Sequence, residues 1–123
     1  MILSQKQQEF AKCLAEFIVR IYGGRVVWDQ KPMGFIRMGE VYRPPFTAKE
    51  YARLGKGIVN SVHTKKLAAD LFLSKDGIKV TWRNEDYAPL AEKWESLHDL
   101  ARAGHYFSNR DSVHFSFEHN GIR

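Results

Sequence analysis

The sequence predicts an α+β domain, a small antiparallel sheet with helices packed on one face. Three observations lead there. Apolar residues recur at helical spacing near the start of the chain and again before its end. Alternating or continuous apolar runs of strand length lie between and after those stretches. No repeat, low-complexity tract or linker interrupts the 123 residues, which suffice for one domain and hardly for two.

Taken in order, Ser4 and Gln7 have the spacing of a capping box, and Phe10, Leu14, Phe17, Ile18 and Ile21 then recur as one helical stripe that Gly23-Gly24 stops. Arg25–Trp28 reads as a short strand. Asp29–Pro45 carries glycines and prolines and reads as loop, with one short strand near Phe35-Ile36. Thr47 and Glu50 predict a second capping box, opening a helix through Leu54 that Gly55 ends. Gly57–Thr64 reads as loop. Leu67–Leu73 and Gly77–Trp82 are strand candidates joined by the hairpin-type turn Ser74-Lys75-Asp76-Gly77. A third helix is expected from about Tyr87 to Ala103, with Leu90, Trp94, Leu97 and Ala101 on one stripe and Gly104 closing it. Ser112–Glu118 alternates strictly and forms the last strand.

Apolar residues make up 44% of the chain and aromatics 13%, which supports a real core and argues against disorder. Trp28, Trp82 and Trp94 read as core. The one cysteine, Cys13, excludes an intramolecular disulfide and reads as a small core residue. The net charge of +5 draws the protein to polyanions, but its lysines and arginines are spread along the chain rather than gathered in one arm. That spread weakens a nucleic-acid reading. The start, MILSQKQQEF, lacks a basic stretch followed by an apolar core, so no signal peptide is expected. No apolar run approaches the roughly 20 residues of a membrane span, so no membrane insertion is expected.

Two histidines and two carboxylates stand beside the apolar runs. In the last strand, alternation turns Val113, Phe115 and Phe117 one way and His114, Ser116 and Glu118 the other. In Leu67–Leu73, Asp70 is the only charge, and it shares its face with the small Ala68. A carboxylate in such a place is costly unless its charge is compensated, and a divalent metal compensates it. His63 lies seven residues before Asp70, about 23 Å if extended, so the chain must fold back through Thr64-Lys65-Lys66 if both bind one ion. Two histidines and a carboxylate leave a fourth zinc position open, the catalytic rather than the structural pattern. Asp111, three residues before His114, is placed to move a proton. Each residue also has a plainer reading: a solvated histidine, an Asp70 that caps a loop or pairs with an arginine, an Asp111 that caps the turn after Asn109-Arg110.

Ser61-x-His63-x-x-x-x-Ala68-x-Asp70, followed by Asp111-x-x-His114-Phe115, resembles the signature of a zinc peptidase family that cuts peptidoglycan stem peptides. That family contains D-alanyl-D-alanine carboxypeptidases and the L-alanyl-D-glutamate endopeptidases common among phage endolysins. The resemblance runs roughly from Glu40 to Phe117. It implies that residues 1–123 form one catalytic domain with a Zn2+ site in a cleft at the sheet. By position, His63, Asp70 and His114 would be the metal ligands and Asp111 the catalytic acid/base. Val41-Tyr42-Arg43 resembles the family's Gly-Tyr-Arg-type turn, so Arg43 would bind a substrate carboxylate, which suits a guanidinium fork. Ser61 would be a hydrogen-bonding support on the substrate side of the site. Ala103–Phe107 occupies the place of the family's Trp-Gly-Gly-type segment. The family's glycine in the first motif is Lys66 here, and glycine reaches backbone angles that lysine avoids.

The expected partner is a peptidoglycan stem peptide, and nucleic acid is not expected. The protein is expected to be a monomer, made in the cytoplasm and acting on the cell wall after release, as a phage lysis enzyme does. The alternatives are a basic nucleic-acid-binding module, which leaves Asp70 and the spaced histidines unexplained, and a non-catalytic relative of the same fold. His98 is expected to be packed or at the surface. His119 and Glu118 are expected to fray with the chain end, and Tyr106 is a possible cleft residue.

Overall fold

The computed structural model describes residues 1–19, 21–22, 25–28, 31–56 and 61–123. Among them are three helices, α1 (Leu3–Val19), α2 (Pro45–Arg53) and α3 (Asn84–Glu95). There are six strands: β1 (Ile21–Tyr22), β2 (Arg25–Trp28), β3 (Lys31–Met38), β4 (Ala68–Ser74), β5 (Ala101–Ala103) and β6 (His114–Phe117). The strands form one sheet of order β1-β2-β3-β4-β6-β5, antiparallel at every pairing. The α+β class and the antiparallel sheet are as the sequence predicts. No described helix is long and apolar enough to cross a membrane.

β4 is the keystone because it divides its length between two neighbours. Its first half pairs with β6 (Ala68↔Ser116, Ala69↔Phe115, Asp70↔His114), its second half with β3 (Leu71↔Met38 through Ser74↔Phe35). Side chains alternate across a strand, so this register sends Ala69, Leu71, Leu73, Phe115 and Phe117 to one face. There they meet Phe10 and Phe17 of α1 and Trp94 of α3. Phe10 meets Trp94 and Phe117 edge-on, with ring centroids 5.8 and 5.4 Å apart. Phe17 meets Trp94 at 5.5 Å. Edge-to-face pairs of this kind add to the energy of burial alone. Trp94 has no exposed surface and donates its Nε1–H to the Ser116 carbonyl at 3.1 Å, so its one polar atom is satisfied. Cys13 lies in the same core.

Several local expectations fail for identifiable reasons. The Ser4–Gln7 box does not open α1. Gln5 Oε1 accepts from the Ile2 N–H at 3.2 Å, and Gln7 instead donates to the Lys65 carbonyl at 2.8 Å. Ile21 belongs to β1, beyond the end of the helix. α2 starts at Pro45, with Pro44 as its cap and no side-chain bond there, so Thr47 and Glu50 form no box. Glu50 pairs with Arg53 at 3.0 Å instead. The stretch read as loop holds the eight-residue β3. It accommodates Pro32 beside a register shift against β2, and Gly34 where any Cβ would lie 2.4 Å from the Ser74 carbonyl oxygen. Gly23-Gly24, Asp29-Gln30 and Gly57–Asn60 lie outside the described residues.

Gly77–Trp82 is not a strand. The buried Tyr87 hydroxyl stands between it and β4, accepting from the Leu73 N–H at 2.9 Å and donating to the Thr81 carbonyl at 3.0 Å. One direct backbone bond remains, Thr81 N–H to Leu73 at 2.8 Å. Trp82, expected in the core, is 71% exposed in consequence and touches Phe72 edge-on. The third helix stops at Glu95, and Ala101–Ala103 is the edge strand β5 on β6 rather than its last turn. His98 stacks on Phe117 at 4.6 Å, and its Nδ1 accepts the Leu100 N–H at 3.0 Å, which turns the chain out of the helix.

The chain end is tied down rather than frayed. His119 and Ile122 exchange both backbone bonds, at 2.8 and 2.9 Å, across Asn120-Gly121. Both turn residues have positive φ, +50° and +79°, as an Asn-Gly hairpin turn requires. Glu118 pairs with Arg102 at 3.3 Å.

Candidate metal centre

The second face of the β4–β6 ladder is polar. Asp70 lies directly opposite His114, and Ala68 opposite Ser116. The methyl of Ala68 leaves room beside the carboxylate. His63 reaches the same place from a 3₁₀ turn, Val62–Lys65. Ser61 caps that turn by accepting the His63 N–H on its Oγ at 3.2 Å, and its carbonyl accepts the Thr64 hydroxyl at 2.6 Å. Lys66 closes the turn in the left-handed region at φ 58°, ψ 38°. The lysine therefore takes the backbone angle that glycine takes more cheaply, and the chain reverses into β4 as the fold-back requires.

The result is a cluster. One ligand atom from each of His63, Asp70 and His114 lies within 4.8 Å of the others. His63 Nε2 is 3.3 Å and His114 Nδ1 3.6 Å from Asp70 Oδ1. Both histidines are nearly fully buried. Asp70 Oδ1 and His114 Nε2 are buried with no well-aligned hydrogen-bond partner among the described residues. Buried groups left in that condition are uncommon. His63 Nδ1 faces the Val41 carbonyl at 3.3 Å, which favours the tautomer that leaves the Nε2 lone pair pointing at the cluster. Burial pushes the Asp70 pKa up, but the neighbouring imidazoles more than offset it and hold it at about 2. The donor set fits zinc. Two imidazoles and a carboxylate are a common three-ligand set, and a cation among them would partner the orphaned Oδ1.

Asp111 belongs to the same neighbourhood. The Asp111 carbonyl accepts the His114 N–H at 3.1 Å, and its own N–H donates to Gly104 at 2.9 Å. The residue is open to solvent, yet enough protein crowds its carboxyl for desolvation to raise the pKa. His114, His63 and Arg43 pull it down and Asp70 pushes it up, with a net rise above the ordinary carboxylate value.

Arg43 lies beside the cluster, its N–H donating to the His63 carbonyl at 3.1 Å. Its guanidinium sits over the Tyr51 ring at 5.0 Å and holds Glu40, with Nε 2.7 Å and Nη2 2.5 Å from Oε1. Among the described residues its Nη1 takes no partner. The Ser61 hydroxyl is committed to the His63 backbone. Tyr106 is exposed, on the turn Gly104–Tyr106.

Sequence reasoning missed two residues. Glu40 accepts from Arg43, lies 3.8 Å from His63 Nδ1, and takes the Asp70 N–H on its carbonyl at 2.8 Å. Its only sequence signal was an acid three residues before Arg43. Gly104 was read as a helix stop. A Cβ there would lie 2.0 Å from the Asp111 carbonyl oxygen and 2.9 Å from the His114 Cβ. Only glycine lets the segment carrying Asp111 come this close.

No family model matches the sequence, and no curated protein matches it. Among solved structures the chain is similar to the crystal structure of Serratia marcescens L-Ala D-Glu endopeptidase ChiX, with 21% identity and a TM-score of 0.61. The match covers 69% of this chain and 68% of that one. At this identity the likeness establishes a shared fold, one that a peptidoglycan endopeptidase uses.

Proposed function

We propose that this protein is a zinc-dependent peptidase acting on the stem peptides of peptidoglycan, of the L-Ala-D-Glu endopeptidase or D-Ala-D-Ala carboxypeptidase type. The observation that carries the reading is the convergence of His63, Asp70 and His114 on one partly unsatisfied buried point, with Asp111 in the electrostatic field of all three. The fold shared with an L-Ala D-Glu endopeptidase supports the same substrate class.

His63, Asp70 and His114 would hold the zinc. The chemistry zinc supplies when bound is polarisation of the scissile carbonyl and acidification of water. Asp111 takes the proton from the attacking water on its carboxylate and returns it to the leaving nitrogen. Its raised pKa brings the two protonation states closer in energy near neutral pH, as a group that must both accept and donate requires. Arg43 offers its Nη1 edge to a carboxylate of the stem peptide, while Glu40 fixes the plane of the guanidinium. Ser61 acts through His63, whose turn it caps.

Incubation of the zinc-loaded protein with purified muropeptides, followed by mass spectrometry, tests the proposal and identifies the bond cut. New fragments are expected. Asp111→Ala should retain zinc and lose about 10²–10⁴ of the rate. A zinc-loaded wild type that yields no fragment from any stem peptide contradicts the proposal.

A further inference from the structure

The 3₁₀ turn that carries His63 also walls a second site. Val62 and Lys65, from that turn, line a cavity of about 300 Å³ with His119, Asn120 and Ile122 of the terminal hairpin. This is at the lower end of the sizes that hold small ligands. Its described lining contains two apolar residues, a lysine, an imidazole and an amide, and no carboxylate among them. Lys6 of α1 stands behind the imidazole, its Nζ 3.1 Å from His119 Nδ1. Neither Lys6 nor Lys65 makes an ion pair among the described residues.

The neighbouring side chains are arranged as donors. An ammonium keeps N–H groups to spare after meeting one imidazole nitrogen. Partial burial and the two lysines hold the His119 pKa below its usual value, so its ring is neutral at pH 7 and accepts from Lys6. A ring that accepts at Nδ1 carries its proton on Nε2, so the Asn120 amide, 3.3 Å away, meets it with its oxygen and keeps its NH2 free, and the Asn-Gly turn fixes that wall. Gln7 ties α1 to the other wall through the Lys65 carbonyl. Lys65 on the lining and Lys6 behind the imidazole, with no carboxylate among the described lining residues, bias this concavity toward negative charge.

We propose that this cavity binds an oxyanion, a carboxylate or phosphoryl group on a small, partly apolar ligand, at a site separate from the candidate metal centre. Lys6 and Lys65 supply the charge, Asn120 a neutral donor, and Val62 and Ile122 the apolar floor.

The test is amide chemical-shift titration of the full chain with inorganic phosphate and, separately, with acetate, ionic strength being held with sodium chloride. Saturating shifts at Lys65, Asn120, Gly121 and Ile122 are expected, and the tighter of the two anions assigns the phosphoryl or carboxylate source. Lys6→Gln/Lys65→Gln should weaken the apparent affinity about tenfold or more. Lys65→Gln alone, at an exposed side chain, keeps the test sound if the double variant misfolds. Shifts that fail to saturate with either anion, or that persist unchanged in the variants, overturn the proposal. No outcome depends on zinc or on peptide cleavage, so failure here is distinguishable from failure of the peptidase reading.

Discussion

The two faces of the β4–β6 ladder are built from alternate pairs of the same two strands and could hardly differ more. On one face Ala69 and Phe115 lie side by side and, with Phe117 and Leu71, disappear under Phe10, Phe17 and Trp94. The one polar atom of Trp94 is satisfied. On the other face Asp70 and His114 lie side by side, are joined by His63, and keep two buried polar atoms without partners. Each such atom costs about 1–3 kcal/mol of desolvation that an apolar residue would not incur. The first face stabilises the sheet. The second spends stability on a site, and a bound cation would return it.

The comparison can be broken first on the apolar face. Phe117→Ala should lower stability by about 3–5 kcal/mol in urea denaturation, with or without metal, because it opens a cavity among aromatic rings. A loss under 1 kcal/mol would mean that the helices do not depend on this face. Gly104→Ala should cost about 1–3 kcal/mol by overpacking against Asp111 and His114, and should weaken zinc binding in parallel. Unchanged metal affinity would separate Gly104 from the site.

A pH series sharpens the polar face. In metal-free protein Asp70 has a folded pKa of about 2, below the ordinary aspartate value. A depressed carboxyl contributes stability that is present above pH 4 and lost as pH falls towards 2, on the order of 2 kcal/mol. Asp70→Asn should remove that slope. Asp111 has the opposite sign. Its raised pKa favours the protonated form, so its contribution is present below the ordinary carboxylate range and lost as pH rises through the raised value. Asp111→Asn should therefore be at least as stable as wild type at pH 7 without metal. The smallest effect is expected at Lys66, where glycine relieves a left-handed backbone but gives up the ammonium 5.2 Å from the Tyr42 ring. Lys66→Gly should gain a few tenths to about 1 kcal/mol of stability by thermal melting.

What the sequence discloses follows the same division. Period-two alternation sets the face that His114 takes in β6 and that the lone charge Asp70 takes in β4, and the fold-back through Lys66 follows if His63 and Asp70 are to share one ion. These are local patterns, and they are right. What fails depends on partners distant in sequence. Gly77–Trp82 has the composition of a strand, but the slot beside β4 belongs to the Tyr87 hydroxyl. Ala101 continues a helical stripe, yet the free edge of β6 takes it as a strand. Ser4 and Thr47 have capping spacing, but α1 begins at Leu3 and α2 at Pro45, so both lie inside the first turn; this one miss is local. Glu40 and Gly104 escape because their importance lies in what approaches them, and neither spacing nor hydropathy records that.

Metal content tests the central claim most directly. Protein purified without chelators and measured by elemental analysis should hold one zinc per chain, and His114→Ala should hold none while remaining folded. Wild type that stays metal-free in micromolar zinc, or a His114→Ala variant that binds it as tightly, would contradict the assignment of the polar face as a metal centre.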